Sequence, residues 1–192
     1  LFSQILFEVK DIKLNTPFKK ITYDDTMDLY GTDKPDLRFD MKLTDIGEIL
    51  INSKFEKFQD ILASKGVIKA INVKSSVNSF SRKKLDEFAK IANEKYGIND
   101  FYWIKYTDSE FSGPLSKVIN NTPFKDQFMR KLDIKNDDII LIAGGDRNNV
   151  NSYLGTLRTN LGEELDIIEK DSYEFVWITD WPLLEYNKEE NR

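Results

Sequence analysis

The chain has 192 residues, 40% apolar and 32% charged, which is the composition of an ordinary globular domain and of neither a disordered tail nor a membrane protein. With 28 basic and 33 acidic side chains its net charge is −5, so the chain as a whole is no polycation built to wrap nucleic acid. It holds no histidine and no cysteine, which excludes disulfides, thiolate nucleophiles, zinc sites built on either residue and every mechanism that turns on an imidazole. What remains is carboxylate, lysine, hydroxyl or phosphate-cradling chemistry, or a domain that positions something without reacting.

The N-terminal residues carry no basic segment or small-residue cleavage site, and no apolar run reaches membrane-spanning length, so the chain reads as cytoplasmic with no membrane partner. Asn120-Asn121-Thr122 fits a glycosylation acceptor, but nothing else points to secretion and the triplet reads as chance. Lysine makes up 22 of the 28 basic residues, a bias expected of an AT-rich genome.

Phe2, Ile5, Leu6 and Val9 recur as in the tail of a helix, and the last four residues follow a strand with no closing element, so the sequence reads as an excised piece. A helix over Asp25–Tyr30 follows Thr22-Tyr23, with Asp24 and Asp25 where a helix start prefers acids, and Gly31 stops it. Next comes Tyr30-Gly31-Thr32-Asp33-Lys34-Pro35-Asp36-Leu37-Arg38-Phe39, in which Asp33, Lys34, Asp36 and Arg38 surround a proline that forces extended backbone on Lys34. Such charges either satisfy one another as a buried or interfacial network, which the residues favour, or face an anionic ligand.

The middle reads as a self-contained α+β unit. Val67–Val73 is a strand rich in β-branched residues, and Ser79-Phe80-Ser81 precedes a helix marked by Leu85, Phe88, Ile91, Ala92 and Tyr96 and stopped by Gly97. Phe101–Tyr106 is a second strand. Thr122-Pro123 caps a second helix through Phe124, Phe128 and Leu132, and Asp138–Ala143 is a third strand closed by Gly144-Gly145-Asp146. The economical packing is two short helices over a small, mostly antiparallel sheet. Val150, Leu154, Leu157, Leu161 and Leu165 then draw an apolar stripe down a long helix, whose Gly155 and Gly162 cost about 1 kcal/mol each unless packing compensates. Tyr173–Thr179 is apolar at nearly every position and reads as a strand buried on both faces. The outer segments are expected to share one core formed by Phe175, Trp177 and the leucine stripe.

Charge is unevenly placed. Residues 54–147 carry 17 basic and 13 acidic side chains, whereas 1–53 carry 7 and 10 and 148–192 carry 4 and 10. A basic centre between acidic flanks points to an inserted module or to unevenness in a lysine-rich chain. The boundaries read as 1–47, 48–147 and 148–192.

Each chemical candidate has a plainer alternative. Gly144-Gly145-Asp146 between strand and helix has the grammar of a phosphate cradle but lacks a third glycine or a Lys-Ser/Thr, and reads as a turn. Asp24, Asp25 and Asp28 form a metal cluster or, more simply, cap a helix. Arg82, Lys83, Lys84 and Lys90 make a candidate phosphate-facing patch for nucleic acid, with Tyr102, Trp103 and Tyr106 to stack bases; the plainer reading is a solvated helix face and core aromatics.

Pro17-Phe18-Lys19-Lys20-Ile21-Thr22-Tyr23-Asp24-Asp25 running into Tyr30-Gly31-Thr32-Asp33-Lys34-Pro35-Asp36-Leu37-Arg38 closely resembles the stretch of bacterial-type aspartyl-tRNA synthetases after their second class-defining motif. Gly155-Thr156-Leu157-Arg158, Leu161-Gly162 and Phe175-Val176-Trp177-Ile178-Thr179-Asp180-Trp181-Pro182-Leu183-Leu184-Glu185-Tyr186 resemble the same enzymes where the chain re-enters the catalytic domain. The family more often has serine at 32 and phenylalanine at 181. The middle then corresponds to the inserted domain shared with one tRNA-dependent amidotransferase subunit, whose central motif is similar to Ser112-Gly113-Pro114-Leu115-Ser116-Lys117.

The resemblance implies a parent ligase, a homodimer acting in translation, that uses ATP and Mg to form aspartyl-adenylate and then charges tRNA. It places the catalytic motifs outside this chain, so the segment itself is expected to hold no catalytic residue, cofactor or metal. A histidine-proline-phenylalanine segment is expected soon after Arg192. Asp33, Lys34, Asp36 and Arg38 are expected to brace the catalytic domain against the insertion, whose partners are tRNA and the rest of the enzyme. The alternative is the amidotransferase subunit's insertion, acting as a tRNA-binding scaffold.

Overall fold

In the computed structural model, which describes residues 1–51, 53, 55–120 and 123–184, the β-branched and aromatic runs form the strands and the capped amphipathic runs the helices. In chain order the elements are α1 (Phe2–Lys10), β1 (Lys19–Thr22), α2 (Tyr23–Tyr30), β2 (Thr44–Asp45), α3 (Gly47–Leu50), α4 (Glu56–Ala63), β3 (Val67–Val73), α5 (Arg82–Tyr96), β4 (Asp100–Thr107), β5 (Glu110–Ser112), α6 (Ser116–Asn120), α7 (Lys125–Lys131), β6 (Asp138–Gly145), α8 (Arg147–Glu164) and β7 (Val176–Thr179).

The expected α+β class forms as a five-stranded antiparallel sheet in the order β2-β3-β6-β4-β5, with a separate parallel pair, β1 and β7. Its edge strand, β2, comes from residues 44–45. The centre is β6, whose Ile139, Leu141 and Ala143 face one layer and Ile140 and Ile142 the other, as strand alternation requires. One layer is closed by α5 and α8 through Leu85, Phe88, Val150, Leu154, Leu157 and Leu161; the other by α3, α4, α6 and α7 through Leu50, Phe58, Ile119 and Phe128. Burying that apolar surface on both faces is the main stabilising term.

Local signals place the ends. The Thr22 hydroxyl accepts from the Asp25 amide, Ser81 accepts from Lys84, and Gly31 and Gly97 close their helices in the left-handed conformation. Two features differ from expectation. Strand β6 continues through Gly144 and Gly145, because both are paired across to Val67 and Ile68. The cap expected at Thr122 lies outside the described residues; α7 follows Phe124, and Phe128 and Leu132 are buried as expected.

The flanks differ more. Strand β7 begins at Val176, and Trp177 is 57% exposed, because among the described residues its sheet has one other strand and no element covers its outer face. The expected common core of Phe175, Trp177 and the leucine stripe does not form. The stripe belongs to the layer on the five-stranded sheet, whereas Phe175 stacks on Phe18 at 5.2 Å and Phe2 at 6.0 Å. Helix α1 buries none of its residues.

Candidate functional site: a turn clamped by buried cations

The first flank meets the sheet at Asp28. Lys69 stands on β3 on the same face as Ile71 and Val73, and its side chain is 2% exposed. Its ammonium donates to the Asp28 carbonyl at 2.9 Å and to Asp28 Oδ1 at 3.1 Å. Arg147, the first residue of α8, donates to Oδ2 at 2.8 Å, and Asn151 Nδ2 reaches Oδ1 at 3.5 Å. One carboxylate thus ties α2 to β3 and α8. Burial pushes the Lys69 ammonium below its ordinary value, with Asp28 acting against that shift.

The turn after α2 is held by Arg158. This arginine, 1% exposed, donates through Nε to the Met41 carbonyl and through Nη2 to the carbonyls of Asp36 at 2.7 Å and Phe39 at 3.1 Å. Its guanidinium lies 3.9 Å from the Phe39 ring centroid and 5.1 Å from that of Tyr30. Burial pushes the Arg158 pKa down. The helix can come this close because of its glycines. A Cβ on Gly155 would lie 2.6 Å from the Tyr30 carbonyl, and one on Gly162 would lie 2.8 Å from the Phe39 ring. Gly31, at φ +71°, meets the same helix backbone to backbone: a Cβ there would lie 2.0 Å from the Asn151 carbonyl.

Of the four charges around Pro35, the structure joins two. Arg38 donates through Nε and Nη2 to both oxygens of Asp36 at 3.0 and 2.7 Å, and its backbone amide adds a third bond at 3.0 Å. The Arg38 hydrogen bond holds the Asp36 carboxyl below its ordinary value. Asp33 and Lys34 make no side-chain hydrogen bond or ion pair among the described residues; the Lys34 amide donates to the Thr32 hydroxyl at 3.2 Å.

On α5, three of the four basic candidates contact carboxylates: Arg82 with Asp86 at 3.6 Å, Lys84 with Glu164 at 3.6 Å and Lys90 with Glu94 at 3.8 Å. Lys83 has no side-chain partner among the described residues. The aromatics on β4 are packed: Trp103 is 9% exposed and donates to Asp86 at 3.1 Å, while Tyr102 and Tyr106 pack against the other layer.

Neither the acidic cluster nor the glycine turn that the sequence offers forms a binding site among the described residues. No group of three or more carboxylates gathers among them. Asp25 and Asp24 lie in the first turn of α2, and Asp28 is held by Lys69 and Arg147. The carboxylate of Asp146 occupies the start of α8, accepting from the amides of Asn148 and Asn149 at 3.0 and 3.2 Å, so the Gly144-Gly145-Asp146 turn is filled by its own side chain. No described helix is long and apolar enough to cross a membrane.

Residue-level reading missed Lys69 and the contacts of Arg158. A lysine inside a β-branched strand and an arginine on the face that carries Gly155 and Gly162 were the available signals, since both put a cation where burial is expected.

Comparison with known proteins places this geometry. The family model for the GAD domain matches residues 58–154, from α4 into α8. Over all 192 residues the chain is 36% identical to an "Aspartate--tRNA ligase" of Streptococcus agalactiae serotype Ia, covering 32% of that protein. It is also 36% identical to one of Lactiplantibacillus plantarum, over 98% of this chain and 31% of the relative, and to an "Aspartate--tRNA(Asp/Asn) ligase" of Bacillus cytotoxicus, over 100% and 32%. The chain therefore spans about a third of the length of these relatives. The matched segment supplies the three long strands of the sheet and the first half of α8, and the chain belongs to the GAD domain family.

Proposed function

We propose that the chain is the GAD-bearing part of an aspartate–tRNA ligase and that it braces the enzyme without taking part in the chemistry. The observation that carries this reading is the extent of the similarity. It runs through both flanks as well as the GAD segment, and so favours the ligase over an amidotransferase subunit that would share the inserted domain. In the parent, a cytoplasmic homodimer, ATP and Mg would be bound by parts outside this chain, and tRNA is the second substrate.

The chemistry agrees. Adenylate formation needs arginine and metal clamping of phosphates together with charges that bracket the amino acid. Here Arg158 holds three carbonyls, Arg38 holds Asp36 and Arg147 holds Asp28. None of the three is free to follow a developing charge. Their work is positional: they fix the turn 31–41 on α8, so that the first flank and the sheet move together.

Aspartate-dependent exchange of pyrophosphate into ATP tests the reading. A longer product of the same gene, extending on both sides of this segment, is expected to catalyse it, and the 192-residue chain is not. Exchange by the chain alone would overturn the non-catalytic assignment. A longer product inactive with aspartate would overturn the ligase assignment.

A further inference from the structure

The motif Ser112-Gly113-Pro114 lies at the free edge of the sheet, where β5 ends. Ser112 is paired across the strands with Lys105, so both side chains stand on the face that also carries Trp103. Gly113, at φ +116°, lies against the indole: a Cβ there would be 2.9 Å from the Trp103 ring and 2.8 Å from its carbonyl oxygen. With Pro114 and Arg82, these residues line an open recess of about 570 Å³. Small-ligand sites span roughly 300–1,000 Å³.

Three features of the recess call for an anion. The Lys105 ammonium donates to the carbonyls of Val77 and Phe80, both at 3.1 Å, and has no carboxylate partner among the described residues. The exposed Ser112 hydroxyl is likewise without a partner among them. The first turn of α5 holds Arg82, Lys83 and Lys84 and no acid, although a helix start already carries the positive end of the peptide dipoles. Three cations there work against the helix; Arg82 and Lys84 are offset by Asp86 and Glu164, and the charge of Lys83 has no such partner among the described residues. Lys84 turns away toward Glu164, and Arg82, which also contacts Asp86 at 3.6 Å, lines the recess together with Lys105.

We propose that this recess binds a segment of single-stranded RNA, with a phosphodiester on Arg82 and Lys105, next to the unpaired Lys83 of the same helix start, and the adjoining sugar and base against Pro114 and Trp103. Cations beside an apolar floor are complementary to a nucleotide strand. The choice of RNA among anions rests on the ligase reading; the presence of an anion site does not.

The 192-residue chain carrying Trp177→Phe and Trp181→Phe, which leaves Trp103 as its one indole, is titrated with a short labelled oligoribonucleotide at several salt concentrations. Saturable binding is expected, weakening linearly with the logarithm of salt and changing Trp103 emission. Arg82→Gln with Lys83→Gln, and separately Ser112→Glu, are expected to weaken it at least about tenfold, the loss of one charge-assisted bond. Lys90→Gln is expected to leave it unchanged. The Arg82→Gln/Lys83→Gln variant is expected to melt no lower than the parent chain, which separates lost binding from lost folding. Absence of binding at low salt, equal weakening by Lys90→Gln, an unresponsive Trp103 or equal displacement by polyglutamate would each overturn the proposal. All four leave the ligase reading intact, because that is read by pyrophosphate exchange.

Discussion

Lys69 and Asp28, 41 residues apart in the chain, meet at 3.1 Å with the lysine side chain 2% exposed and the aspartate 39% exposed. The two partners are unequal, and their removal should be unequal too. Asp28→Ala leaves a buried ammonium with only the Asp28 carbonyl and is expected to cost roughly 2–3 kcal/mol, discounted for the aspartate's exposure. Lys69→Met leaves Asp28 with Arg147 at the surface and is expected to stay within about 1 kcal/mol of wild type. Urea unfolding of both variants checks the order. Equal costs would mean that the pair, rather than the buried cation, is the unit.

The same lysine gives an alkaline signature. Burial lowers its folded pKa below the ordinary 10.5. Between that lowered value and 10.5 the unfolded chain holds a proton that the folded chain has released, so stability rises with pH across the window. Subtracting the pH profile of Lys69→Met from that of wild type should leave a positive slope there and none below it.

Asp36 gives the opposite case at low pH. The Arg38 hydrogen bond holds its carboxyl below the ordinary 3.8. Its contribution is complete above that ordinary value and disappears as pH falls through the folded value. Wild type should therefore lose stability faster than Asp36→Asn on acidification below about pH 5.

Arg158 holds more than any other side chain on the flank. Arg158→Ala leaves the carbonyls of Asp36, Phe39 and Met41 without their donor and is expected to cost about 3–5 kcal/mol. Arg158→Lys keeps the charge without the fork and should recover only part of that. Limited proteolysis should open 31–41 first in both variants.

The helix glycines rank by what they touch. Gly155→Ala would place a methyl 2.6 Å from the Tyr30 backbone, which cannot yield, so overpacking of about 1–3 kcal/mol should exceed the propensity gain of about 1 kcal/mol. Gly162→Ala meets the rim of the Phe39 ring and should cost less. Thermal unfolding of the two variants reads the order.

What the sequence made legible follows from range. The ends of α2 and α5 were readable because Thr22, Ser81, Gly31 and Gly97 act within a few residues of themselves. The need for Gly155 and Gly162 to pack against another body was also readable, since glycine inside an apolar stripe has no local benefit. The identity of that body was not, because Tyr30, Gly31 and Phe39 approach from far along the chain. Lys69 was hidden for the same reason: its strand pattern is local, but its partner is not. The apolar run at 173–179 misled because it reports what a larger sheet would bury, whereas among the described residues β7 has only β1 beside it. At the candidate site, the turn around Pro35 was visible as a cluster of charges. Which of them pair, Asp36 with Arg38, depended on the backbone that Arg158 holds.

Native-state hydrogen exchange of the 192-residue chain tests most directly whether the first flank is one body with the GAD sheet. The Gly31 amide is bonded to the Met27 carbonyl and the Leu43 amide to that of Leu29, and both bonds lie on the clamped segment. The account predicts that these amides exchange with the same opening free energy as Ile140 and Ile142 at the centre of β6. Exchange of Gly31 and Leu43 through small local openings, while β6 stays protected, would contradict it.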